Sequence, residues 1–106
     1  MNDLRNFIGG EWIAATDLSE RRNPSDLDDV IGAFPRGTAG DVDAAVTAAR
    51  DALPEWSLST PVERHDALRR IGAAILADVD RLGRELSREE GKTLAEGRAE
   101  ATRAGQ

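Results

Sequence analysis

Residues 60–106 read TPVERHDALRRIGAAILADVDRLGRELSREEGKTLAEGRAEATRAGQ, and this stretch decides the fold. It opens on Thr60-Pro61-Val62-Glu63. A threonine hydroxyl accepts from a first-turn amide, proline suits the first helical position, and Glu63 reaches back to the cap, so a helix starts here. Leu68, Ile71, Ile75, Val79, Leu82 and Leu86 then recur at helical spacing and make one apolar stripe. Asp78 or Asp80 offers a new N-cap that would divide the run into two shorter helices. Gly91 is placed to end the run in left-handed geometry. Thr93-Leu94-Ala95-Glu96 repeats the start signal, and about three more turns follow at 3.6 residues per turn. Beyond Leu94 the apolar residues of that last helix are all alanine. The sequence therefore predicts little for it to dock with, and fraying.

Upstream, Thr38 with Asp41 gives the same T-x-x-D/E start, and Val42, Val46, Ala49 and Leu53 fall on one helical face. Pro54 lacks an amide hydrogen and is expected to end that helix there or just before. The first third has a shorter period. Residues 6–14, NFIGGEWIA, set two apolar-aromatic runs around Gly9-Gly10, a pair suited to a tight hairpin turn. Asn23-Pro24-Ser25 and the acidic run Asp26-Leu27-Asp28-Asp29 read as turn and loop. Val30-Ile31-Gly32-Ala33-Phe34-Pro35 reads as a third strand ended by proline. The expected class is α+β: hairpin, short third strand and loops over 1–37, then three or four amphipathic helices over 38–106.

The chain has 106 residues, one small domain at most, with 40% apolar residues but only 4% aromatic ones. That composition supports helices and a thin core, and a domain this small is only marginally stable by itself. Twenty acidic residues against 14 basic ones give a net charge of −6, which repels phosphate backbones and argues against nucleic-acid binding. There is no cysteine, so the chain supplies no disulfide, thiolate ligand or thiol nucleophile. No stretch approaches the roughly 18 apolar residues of a membrane span. MNDLRNFIGG lacks the order of a signal peptide, so a cytoplasmic protein is expected.

Candidate sites mostly read as structure. Gly91-Lys92-Thr93 ends like a phosphate-binding P-loop, but that motif needs a glycine at the position of Leu86 and a strand leading in. Helix capping explains it better. Gly9-Gly10 and Gly37 to Gly40 do not form G-x-G-x-x-G and read as turns. His65, the only histidine, sits at a polar helix position without the spacing of a zinc helix. Glu89, Glu90, Glu96 and Glu100 are paired carboxylates in principle. Glu96 and Glu100 share a solvated face, with Arg103 beyond them as charge-pair support. Trp12 and Trp56 read as anchors of a hairpin and a helix edge to a core. These residues assemble no nucleophile, base and oxyanion site. No catalytic, cofactor-binding or metal-ligating residue is assigned to the chain.

The order of segments says more than any single residue. Phe7-Ile8-Gly9-Gly10-Glu11-Trp12, Asn23-Pro24-Ser25, Val30-Ile31-Gly32, Asp41-Val42-Asp43-Ala44-Ala45-Val46, Ala48-Ala49-Arg50, Trp56, Glu63-Arg64 and Glu90-Gly91-Lys92 follow one another in a set pattern. From about Asn6 to Gln106 this resembles the amino-terminal portion of an aldehyde dehydrogenase. Leu86 to Glu96 with Arg103-Ala104-Gly105-Gln106 looks most like bacterial members that oxidise 2-oxoglutarate semialdehyde (2,5-dioxopentanoate). The resemblance implies a piece of an α/β, Rossmann-like cofactor-binding domain. It also implies a complete enzyme in which a thiolate attacks the aldehyde, hydride passes to NAD or NADP, and the thioester is hydrolysed. The cysteine, glutamate base, oxyanion-binding asparagine and dinucleotide-binding units of that family lie downstream of the matched portion, so none maps onto this chain. In the family, a monovalent-cation site lies near positions corresponding to Arg21 to Asn23 and Glu89. The expected partner is the remainder of the enzyme, and the chain alone is expected to be inactive and to self-associate. A stand-alone helical interaction module and one half of a split enzyme are the rival readings.

Overall fold

The computed structural model describes residues 4–106. Its elements run β1 (Asn6–Ile8), β2 (Glu11–Ile13), β3 (Leu18–Asn23), β4 (Asp26–Pro35), α1 (Ala39–Leu58), α2 (Pro61–Ala77), α3 (Val79–Glu90) and α4 (Leu94–Gly105). Two compact units interleave in sequence: residues up to Arg21 with Gly32–Ser59, and Arg22–Ile31 with Thr60–Gln106. The expected α+β class holds, with four helices among the described residues, the upper of the two numbers expected.

In the first unit, β1 and β2 pair antiparallel with Phe7 opposite Trp12 and Ile8 opposite Glu11. The two-residue turn needs positive φ twice, and Gly9 (61°) and Gly10 (87°) supply it without a Cβ clash. The Phe7 and Trp12 rings lie 4.8 Å apart and tilted, a cross-strand aromatic pair. The hairpin rests on the small-residue side of α1, where Gly9 would place a Cβ 3.7 Å from Ala48. The face with Val42, Val46 and Leu53 stays exposed. α1 also corrects an expectation, for it runs through Pro54 to Leu58. Proline here costs one amide donor near the helix end, and serines close the last turn. Ser57 Oγ donates to the Pro54 carbonyl (2.9 Å) and Ser59 Oγ to that of Trp56 (2.6 Å).

β3 and β4 form a two-stranded ribbon whose tip belongs to the second unit. The sequence reading missed β3 and took residues 26–29, the start of β4, as loop. The tip itself is as expected: the Ser25 amide donates to Asn23 Oδ1 (2.9 Å) in an Asx turn.

All three T-x-x-D/E sequences are capping boxes: Thr38 with Asp41, Thr60 with Glu63, and Thr93 with Glu96. Each threonine hydroxyl accepts the amide three residues on, and each carboxylate takes back the cap amide, at 2.7, 2.7 and 3.0 Å in turn. Asp78 does divide the long run into α2 and α3. It does so without a side-chain cap bond, its carboxylate going instead to Arg81. Gly91 ends α3 at φ 73°, with its amide donating to the Ser87 carbonyl (2.8 Å). Thr60→Ala is therefore expected to cost about 1 kcal/mol. Thr47→Ala, mid-helix and exposed, should be neutral or slightly stabilising. Thermal melts followed by circular dichroism compare them, and equal midpoints would show that Thr60 does not hold the α2 boundary.

The last helix departs most from expectation. α4 docks on α3 and α2 through its small residues, and Gly97 and Ala101 are buried. A Cβ on Gly97 would sit 2.4 Å from the Gly83 carbonyl oxygen of α3. One on Gly72 of α2 would sit 2.6 Å from the Gly105 carbonyl oxygen. Alanine and glycine give α4 backbone-to-backbone approach in place of a side-chain stripe. Large side chains are left outside: among the described residues Leu68, Ile71, Leu76, Val62 and Leu94 are exposed, and no large side chain is fully buried.

Candidate functional site

The densest polar arrangement lies in the second unit, where the ribbon tip meets the end of α3. Arg88 directs its guanidinium at Asp29, with Nε 2.9 Å from Oδ2 and Nη2 2.5 Å from Oδ1. This two-pronged geometry suits arginine's planar fork. The same group reaches the Val30 carbonyl (3.4 Å), and Asn23 Nδ2 donates to Asp29 Oδ2 (3.3 Å). Beside it Ser25 Oγ donates to the Gly91 carbonyl (2.7 Å). Gly91 is needed twice over, for its positive φ and because a Cβ would lie 2.7 Å from Ser25 Oγ. The Arg88 hydrogen bonds hold the Asp29 carboxyl below the usual carboxylate range, Asn23 adding to the effect and partial burial opposing it. Arg88 is raised in turn by Asp29. Sequence reasoning found neither partner, because they are 59 residues apart and Asp29 lay in a segment read as loop.

The remaining candidates are committed to structure. Lys92 Nζ lies 2.5 Å from Glu100 and 2.7 Å from Glu90, which raise its pKa in that order. A lysine so paired, beside a glycine that ends a helix, does not cradle phosphate. Glu96 is the capping carboxylate of α4, lowered by the Thr93 hydroxyl and amide. The charge partner of Glu100 is Lys92, where Arg103 was expected. His65 is exposed on α2. Trp12 and Trp56, expected to anchor elements to a core, are 65% and 49% exposed. Of the positions corresponding to the family's cation site, Arg21 is an exposed strand residue and Asn23 is engaged at the ribbon tip. Glu89 is exposed on the last turn of α3. Among the described residues no three His, Asp or Glu converge as a metal site, and no helix is long and apolar enough to cross a membrane.

Each helix-opening threonine is occupied by its own capping carboxylate. What the arrangement does chemically is fasten the ribbon tip to the end of α3. Four carboxylates, Asp29, Asp41, Glu63 and Glu96, are all held below their ordinary values by native hydrogen bonds. The unfolded chain then binds protons more readily than the folded one. The stability they contribute is fully present above the ordinary carboxylate range, near pH 4 to 5, and is lost as pH falls through the lowered values. Thermal midpoints from pH 7 to 3 should be flat and then fall below about pH 4.5. A midpoint that rises on acidification would contradict these assignments.

Comparison with known proteins matches this architecture. The model of the aldehyde dehydrogenase family matches residues 12–106. The chain is 36% identical over 104 residues to the alpha-ketoglutaric semialdehyde dehydrogenase of Bacillus subtilis (strain 168), covering 96% of this chain and 21% of that protein. It is 40% identical over 96 residues to the N-succinylglutamate 5-semialdehyde dehydrogenase of Paraburkholderia xenovorans, covering 90% and 20%. The structure superposes on succinate-semialdehyde dehydrogenase from Burkholderia pseudomallei with a TM-score of 0.90 at 34% identity, covering 96% of this chain and 21% of that one. The chain thus spans about a fifth of the length of the relatives it matches. Across residues 12–106, in sequence and in fold, the chain belongs to the aldehyde dehydrogenase family.

Proposed function

We propose that the chain is the amino-terminal structural portion of an NAD(P)-dependent dehydrogenase that oxidises a carboxylate-bearing semialdehyde, of which 2-oxoglutarate semialdehyde is the best candidate. The observation that carries this reading is the family match over nearly the whole chain at about a fifth of its relatives' length. The relatives named for semialdehydes of dicarboxylic acids support the substrate class. A neighbour titled NAD-dependent and a relative named for NADP(+) support the cofactor. The chain's own residues contribute no step of the chemistry: it has no thiol, and Glu63, Glu90, Glu96, Glu100 and Lys92 are engaged in caps and ion pairs. Its role is to present a folded platform whose large apolar side chains, Leu68, Ile71, Leu76, Val42, Val46 and Leu53, meet the remainder of the enzyme. The purified chain is accordingly expected to form no NAD(P)H from any aldehyde in a panel that includes 2-oxoglutarate, succinate and N-succinylglutamate semialdehydes. Turnover that scales with the chain through successive purification steps would overturn the proposal.

A further inference from the structure

We draw no further inference here: the strongest candidate, the open groove beside α2 and the end of α4 lined by His65, Leu68, Ile71, Gly72, Leu76 and Gly105, belongs to the apolar surface already assigned to the remainder of the enzyme, and nothing in the structure points to another occupant.

Discussion

Gly97→Ala is expected to destabilise the chain by about 2 kcal/mol, although alanine is the better helix former. The added methyl carbon would lie 2.4 Å from the Gly83 carbonyl oxygen and 3.3 Å from the Ser87 amide nitrogen. Both are backbone atoms of α3, so no rotamer change relieves the clash and the helices must separate. Overpacking of this kind costs about 1–3 kcal/mol or somewhat more. The gain in helix propensity, at most about 1 kcal/mol, offsets only part of it. Separation would also strip Ala101 of its cover and loosen the Arg98–Asp80 ion pair that flanks the crossing. Gly83→Ala should behave alike, since its methyl would meet the Arg98 Cα and amide nitrogen at 2.9 Å. Gly40→Ala is the control. Its nearest neighbour is Thr38 Oγ1 at 3.6 Å, an ordinary contact, so it should gain about 0.5–1 kcal/mol. Chemical denaturation of the three variants gives the comparison. A Gly97→Ala protein as stable as the parent would mean that α3 and α4 do not cross backbone to backbone.

Except at Pro54, where the sequence carries a local physical signal the structure follows it. The three capping boxes, the Gly9-Gly10 turn, the division at Asp78 and the left-handed Gly91 all depend on neighbours within a few residues. Apart from Pro54, the misses are non-local. β3, Leu18-Ser19-Glu20-Arg21-Arg22-Asn23, has one large apolar residue and no alternation, so only its pairing with β4 makes it a strand. The acidic start of β4 disfavours a strand by propensity and is held by the same pairing and by Arg88. The usual sign of a docked helix is a stripe of large apolar residues. Glycine and alanine carry no such stripe, and their value appears only when a second backbone approaches. Pro54 misled for the opposite reason, a local rule outweighed by the turns of helix on either side.

Residue types alone excluded a thiol nucleophile, motif spacing argued against a phosphate loop, and the ordered motifs pointed to the family. The fastening of Asp29 by Arg88 and of Gly91 by Ser25 was invisible, because each bond joins positions roughly 60 residues apart or more, and such pairing follows from the fold.

The second large effect concerns the exterior. In α2, Val62, Leu68, Ile71 and Leu76 are all exposed, and Leu68 and Ile71 are 63% and 57% so. An amphipathic helix gains most of its stability by burying such a face, and contiguous apolar surface left in water associates or binds apolar solutes. The chain should therefore self-associate and enhance the fluorescence of a hydrophobic dye. Lysine is a good helix former, and exposed substitutions of this kind usually change stability by no more than about 0.5 kcal/mol. Leu68→Lys combined with Ile71→Lys should consequently keep the helical content and most of the melting midpoint while weakening association at least several-fold. Sedimentation velocity over a concentration series, with dye binding read on the same samples, is the most direct measurement of the central claim that this surface is the interior of a larger enzyme. The account predicts concentration-dependent association and bright dye for the parent chain, and monomer with dim dye for the double variant. A parent chain that stays monomeric at every concentration and binds no dye would contradict it.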